Sequence, residues 1–65
     1  MNWDQVEGNW KQFTGKAQAQ WGEITADEWH ETEGRREAVE GKLQERYGDS
    51  KEDAKRKVDE WIDSL

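Results

Sequence analysis

An apolar or aromatic residue recurs every three or four positions through the first 24 residues of the chain. At about 100° per residue these positions form one stripe roughly 80° wide, which is the pattern of an amphipathic α-helix. The stripe consists of Trp3, Val6, Trp10, Phe13, Ala17, Trp21 and Ile24. The chain contains no proline, and no alternating run of β-branched residues indicates a strand. The sequence therefore predicts an all-α fold without a sheet.

The first predicted helix begins near Trp3, because Asn2 and Gln5 match a capping box. Three glycines recur every seven residues on the face opposite the tryptophans, namely Gly8, Gly15 and Gly22. The favoured interpretation makes Gly22 a C-terminal cap and places a break or kink at Gly15. Two alternatives stay open. The glycine face is either a surface that another backbone approaches closely, which implies self-association, or a source of transient local unfolding.

A second helical segment, from Ala26 to Tyr47, begins after a capping box formed by Thr25 and Glu28. Its apolar stripe comprises Trp29, Val39, Leu43 and Tyr47. Polar residues occupy the middle of that stripe, namely Thr32 and Arg36. The segment is therefore either one long helix that packs only at its ends or two pieces that meet near Gly34, and the sequence leaves this open.

The last predicted helix spans Lys51 to Asp63, with Gly48 as a stop signal before it and Ser50 as its cap. Its narrow apolar face comprises Ala54, Val58, Trp61, Ile62 and Leu65. Acid and base pairs four residues apart predict stabilising contacts between Glu52 and Arg56 and between Asp53 and Lys57. Trp61 is expected to attach this helix to the rest of the protein.

The chain also repeats itself, since a shift of 26 positions aligns residues 7–22 with residues 33–48. Gly15 then coincides with Gly41, and several neighbouring residues match in identity or apolar character. A duplicated helical unit is the simplest interpretation. Together the segments predict a small bundle of three to four helices with Gly22 and Gly48 just past helix ends. Four tryptophans are expected to be largely buried, namely Trp3, Trp10, Trp21 and Trp61.

A chain of 65 residues buries only about 60% of its unfolded surface, so its core must come from large side chains. Five tryptophans, one phenylalanine and one tyrosine supply it. The absence of cysteine excludes disulfides and thiol chemistry and suits a reducing compartment. A net charge of −6 disfavours nucleic acid as a partner. No signal peptide or membrane span is recognisable, and a cytoplasmic location is expected.

The sequence offers no constellation that demands a chemistry, and we predict no catalytic, cofactor-binding or metal-binding residue. His30 is the single histidine, which excludes a histidine triad or a multi-histidine metal site within one chain. A carboxylate cluster surrounds it, comprising Asp27, Glu28, Glu31 and Glu33. It lacks the alternating ligands of a calcium loop and is interpreted as a solvated face. The glycines do not form a phosphate-binding loop.

The tryptophans could instead serve as stacking platforms for nucleic acid or carbohydrate, which would require exposed rings. Their helical spacing and the shortage of other large core residues favour burial. Trp29 is the least certain, because Asp27, Glu28, His30 and Glu31 surround it. The His30 side chain is expected to lie on the surface beside it.

An ordered set of short motifs extends over nearly the whole chain. It comprises Asn2-Trp3-Asp4-Gln5-Val6-Glu7-Gly8, Gly15-Lys16, Trp21-Gly22-Glu23-Ile24-Thr25, Glu33-Gly34, Gly41-Lys42-Leu43-Gln44-Glu45-Arg46-Tyr47-Gly48 and Trp61. This set resembles the CsbD-like family of small bacterial stress-response proteins. The resemblance implies one domain over residues 1–65, built as helical hairpins packed across each other. It also implies expression raised under general, envelope or osmotic stress, and no known catalysis, cofactor or ligand. Thr14 and the Trp29-His30 pair depart from the family's usual pattern.

Two functional hypotheses follow. The first is a non-enzymatic stress protein that acts through solvation and weak contacts with protein clients or with itself. The second is a small adaptor that docks a specific protein through an exposed tryptophan or the glycine face. Neither hypothesis includes a small-molecule substrate.

Overall fold

The computed structural model describes residues 1–65 and contains only α-helices. The helices are α1 (Trp3–Gly8), α2 (Trp10–Gln20), α3 (Ala26–Thr32), α4 (Arg36–Tyr47) and α5 (Lys51–Asp63). The predicted all-α class is confirmed, but the predicted count of three to four helices is wrong. There are five helices, because both of the longer predicted segments are interrupted. The molecule measures 27 × 23 × 18 Å, and none of its helices combines the length and apolar character needed to cross a bilayer.

The first interruption lies at Asn9, between α1 and α2, and not at Gly15. Asn9 has φ −121° and ψ 33°, and its side-chain amide donates a hydrogen bond of 3.0 Å to the carbonyl of Gln5. Asparagine side chains compete with the helix for backbone groups in this way. Gly15 lies inside the continuous helix α2. The prediction of a break there was wrong because glycine permits a kink without imposing one.

Helix α2 ends at Gln20, and Trp21 is its capping residue, since its backbone N–H donates 2.8 Å to the carbonyl of Ala17. Gly22 is therefore just past the helix end, as predicted, although it is not itself the cap. At the start of α1, Asn2 and Gln5 form the predicted capping box.

The second interruption separates α3 from α4 and resolves the question that the polar stripe left open. The Thr25 and Glu28 capping box starts α3 as predicted. Glu33 and Gly34 then adopt positive φ angles of 54° and 77°, which ends the helix. The Gly34 carbonyl accepts a hydrogen bond of 2.8 Å from the Trp3 indole. The turn thus packs against the start of α1.

Helix α5 has the predicted bounds. Gly48 caps α4 with φ 69°, and the Ser50 hydroxyl accepts from the Asp53 backbone N–H at 3.1 Å. The predicted ion pairs are wrong in their partners. Arg56 lies 3.2 Å from Asp53, one turn back. Lys57 lies 2.9 Å from Asp49, because the connector before α5 brings that carboxylate within reach.

The buried core draws side chains from all five helices and from the α2–α3 connector. It comprises Val6, Trp10, Phe13, Ala17, Trp21, Ile24, Trp29, Val39, Leu43, Ala54, Val58, Trp61 and Ile62. Burial of Trp10, Trp21 and Trp61 is confirmed, whereas Trp3 is only partly buried. Helix α2 packs closely against α3, and α4 packs closely against α5. The internal duplication stays a prediction.

Candidate functional site

The five tryptophan side chains form a closed circuit in the interior, in which each indole contacts two others. We call this circuit the tryptophan ring. The ring centroids are 6.0 Å apart for Trp3 and Trp10, and 6.1 Å apart for Trp10 and Trp29. The centroid distances of the remaining pairs are 5.8 Å for Trp29 and Trp21, 5.3 Å for Trp21 and Trp61, and 6.1 Å for Trp61 and Trp3. All pairs are tilted or edge-to-face, the favoured aromatic geometries. The tryptophans therefore form a structural core and not an exposed stacking platform.

Three of the indole N–H groups are enclosed by the fold. That of Trp3 donates to the Gly34 carbonyl, and that of Trp10 donates 2.7 Å to the Trp29 carbonyl. The N–H of Trp29 is buried without an acceptor. Trp29 is fully buried at 0% exposure, so the tryptophan that the sequence left least certain lies at the centre of the core. Its polar neighbours occupy the other faces of α3.

The largest surface depression is a groove of about 560 Å³ between the end of α2 and the last turns of α5. It is lined by Gln20, Trp21, Lys57, Glu60, Trp61 and Ser64. We call it the α2–α5 groove. Smaller depressions lie at the α1–α2 break and at the start of α4. Sequence patterns could not indicate the groove, because its two walls are more than 30 residues apart in the chain.

The carboxylate cluster around α3 does not converge on a point. Asp27, Glu31 and Glu33 are exposed and His30 is exposed beside them, as predicted for that histidine. No group of three or more histidine, aspartate or glutamate side chains is arranged to hold a metal ion. The geometry matches the interpretation of this segment as a solvated face.

Glu28 differs from the other carboxylates of the cluster because it is held at the N-terminus of α3. Its carboxylate accepts 3.0 Å from the Thr25 backbone N–H and pairs with Arg46 of α4. The Thr25 hydrogen bond, and then the Arg46 charge, lower the pKa of Glu28 although partial burial opposes them. A carboxylate with a lowered pKa is a poor proton donor near neutral pH. Glu28 is therefore ionised near neutral pH and links α3 to α4 through Arg46.

Arg36 makes the corresponding connection between α4 and α5. Its Nε donates 2.8 Å to Glu40, and its Nη2 pairs with Asp59 and donates 3.3 Å to the Lys55 carbonyl. Burial opposes the guanidinium charge, but the bonds to Glu40 and Asp59 outweigh it and raise the pKa of Arg36. The Nε and Nη2 donors of Arg36 are directed at protein groups, so they link α4 to α5.

Comparison with known proteins identifies similar chains. The family model described as CsbD-like matches residues 4–56. A UPF0337 protein of Rhodopseudomonas palustris is 51% identical over 65 residues, which is 100% of this chain and 98% of the relative. One from Mesorhizobium japonicum is 61% identical over 61 residues, covering 94% and 91% of the two chains. One from Bordetella pertussis is 57% identical over 63 residues, covering 97% and 96%. No solved structure matches the chain.

Proposed function

Because the chain belongs to the CsbD-like family, we propose that it is a non-enzymatic protein of the bacterial stress response. It protects through a strongly solvated surface and weak contacts, and it has low affinity for any one protein client. It acts in the cytoplasm as one CsbD-like domain over residues 1–65. It uses no cofactor, metal, nucleic acid or small-molecule substrate.

The observation that carries this proposal is the division between core and surface. The tryptophans are turned inward, and Met1 is the one large hydrophobic side chain that is exposed. The surface is correspondingly rich in charge, since 40% of the residues are charged and the net charge is −6. Such a surface binds water strongly and lacks the apolar patch of a high-affinity interface. This supports solvation and weak contacts.

The adaptor hypothesis remains as the second candidate, but in a reduced form. Docking through an exposed tryptophan is not supported, since no tryptophan is exposed. The glycine face keeps some support. A Cβ atom added at Gly8 or Gly15 would meet nothing within 4 Å, so internal packing does not explain these two glycines. Close approach of another backbone there would explain them.

Deletion of the gene tests the stress role. Growth in rich medium is expected to be unchanged, and survival after osmotic shock or desiccation is expected to fall. Complementation with His30→Ala, Glu28→Gln or Glu31→Gln should restore survival like the wild-type gene, because the proposal assigns no site to these residues. Trp61→Ala is the matched negative control, since it removes a core side chain and should not restore survival.

Two results would overturn the proposal. If a folded His30, Glu28 or Glu31 variant failed to restore survival, a specific site would exist around α3. Turnover of a defined substrate by the purified protein would show that the protein is an enzyme. In-cell crosslinking under stress separates the two candidates, because one reproducible stoichiometric partner would favour the adaptor.

A further inference from the structure

Trp21 and Trp61, which line the α2–α5 groove, carry the two tryptophan N–H groups that the fold does not enclose. Trp21 and Trp61 line the groove and are 5% and 4% exposed. Their indole N–H groups have no acceptor within the chain, and unlike that of Trp29 they are not sealed from solvent. Nearly all of each side chain is packed against the core, but neither N–H group is fully buried. Two residues that line the groove thus carry indole donors without an acceptor in the chain.

The charges around the groove are already paired. Lys57 lies 2.9 Å from Asp49, and its ammonium also lies 5.3 Å from the centre of the Tyr47 ring. Glu60 lies 3.9 Å from Arg56. The groove therefore offers no free cation to a carboxylate or phosphate, and the indole donors of its lining residues suit an uncharged acceptor.

The shape of the groove restricts the acceptor further. Its volume of about 560 Å³ falls within the roughly 300–1,000 Å³ typical of ligand sites. Trp21 and Trp61 are almost completely buried, so a sugar cannot stack on the faces of their indole rings. Backbone carbonyls of an extended peptide are uncharged, strong acceptors that every protein chain carries.

We propose that the α2–α5 groove binds short extended, uncharged segments of other proteins, whose backbone carbonyls accept hydrogen bonds from the Trp21 and Trp61 indoles. This inference rests on the proposed function and names the site of its weak client contacts. Recognition through the backbone requires no particular side-chain sequence beyond the absence of charge. It therefore accounts for low affinity towards any one client and for tolerance of many clients.

Indole N–H signals in a ¹⁵N heteronuclear NMR spectrum of the full wild-type chain test the proposal. The probe is a short end-capped peptide of alternating valine and threonine residues. Addition of this peptide should shift the Trp21 and Trp61 indole signals in a saturable manner. The Trp3, Trp10 and Trp29 signals should stay in place, because their N–H groups are enclosed.

Two variants check the assignment, each verified as folded by a urea melt. Trp61→Phe keeps an aromatic ring and removes one donor, so peptide affinity should fall about fivefold, the equivalent of one net hydrogen bond. Glu60→Gln is the matched control in the same groove. It should change the affinity by less than about twofold, because exposed charges contribute little to binding an uncharged probe.

Several outcomes would overturn the proposal. These are the absence of any indole shift, shifts produced by acetate or trehalose but not by the peptide, and shifts of Trp21 and Trp61 on concentrating the protein alone. The last would identify a second copy as the occupant. A failed titration would leave the stress role intact, whereas unchanged survival of the deletion strain would remove the stress role and leave the titration result standing.

Discussion

At the scale of single residues, Gly34 is the glycine that the fold requires. Its φ is +77°, and a Cβ atom there would lie 3.0 Å from Cγ of Trp10 and 3.1 Å from Cα of Glu7. Left-handed strain and overpacking both oppose a side chain, and together they cost about 2 to 4 kcal/mol. We predict that Gly34→Ala lowers the free energy of unfolding by this amount, measured by urea denaturation.

Gly15→Ala is the matched control for that prediction. Gly15 lies inside α2, and a Cβ atom there meets nothing within 4 Å. Alanine should therefore stabilise the helix by about 0.5 to 1 kcal/mol. If both variants shifted the urea midpoint in the same direction and by similar amounts, the close packing of Gly34 against α1 and α2 would be wrong.

The residue-level predictions that the structure confirms are those that depend on interactions between residues close together in the chain. The capping boxes at Asn2 and Thr25 and the cap at Ser50 depend on groups three residues apart, and all three form. The uncertainty over Trp29 arose because its sequence neighbours are polar. Those neighbours lie on other faces of α3, so adjacency in the chain says little about burial of one helical side chain.

At the scale of helices, periodicity predicted the stripes but not the breaks. The stripe from Trp3 to Ile24 continues through Asn9 because the core contacts persist across the kink. The break therefore left no gap in the apolar pattern. The polar middle of the second stripe left the α3–α4 break as one of two alternatives, and the structure shows the break. Thr32 is 2% exposed, and its hydroxyl donates 2.6 Å to the Trp29 carbonyl, a local bond that helps to end α3.

The N-terminus of α3 carries a prediction about pH. The folded pKa of Glu28 is lowered from 4.5, first by the Thr25 backbone hydrogen bond and then by Arg46. A lowered folded pKa gives stability that is present above the unfolded pKa and lost as the pH falls through the folded value. Wild type should therefore be more stable than Glu28→Gln near pH 7, and the difference should shrink progressively below about pH 4.5.

Urea midpoints of both chains across this pH range measure the effect. Glutamine at position 28 can still accept the Thr25 hydrogen bond, so the variant isolates the carboxylate charge. Glu31→Gln serves as the control, since Glu31 is exposed on the same helix and its variant should follow the wild type. A gap between wild type and Glu28→Gln that widened in acid would contradict the lowered pKa.

At the scale of the whole molecule, the tryptophan ring joins parts of the chain that no local pattern connects. Trp3, Trp10, Trp29 and Trp61 come from four different helices, and Trp21 comes from a connector. Periodicity assigned most of these rings to the interior. It could not indicate that they contact one another in a circuit or that two of them border a groove, because both depend on how the helices pack.

This arrangement predicts that the loss of one tryptophan side chain, that of Trp61, destabilises the whole fold. Trp61 is 4% exposed and contacts both Trp3 and Trp21. Truncation of a buried tryptophan costs about 3 to 5 kcal/mol, which is comparable to the whole stability of a small domain. Trp61→Ala should therefore be mostly unfolded without denaturant, whereas His30→Ala should stay within about 0.5 kcal/mol of wild type.

Near-ultraviolet and far-ultraviolet circular dichroism during urea denaturation measure the stability of each variant and the cooperativity of its unfolding. The ring includes side chains from α1, α2, α3 and α5, so aromatic and helical signals of wild type and His30→Ala should be lost in one coincident transition. Equal midpoints for Trp61→Ala and His30→Ala would mean that α5 is not attached through Trp61. Loss of the aromatic signal before the helical signal would mean that the tryptophan ring opens while the helices persist. The contacts between the tryptophans would then not be what stabilises the helices.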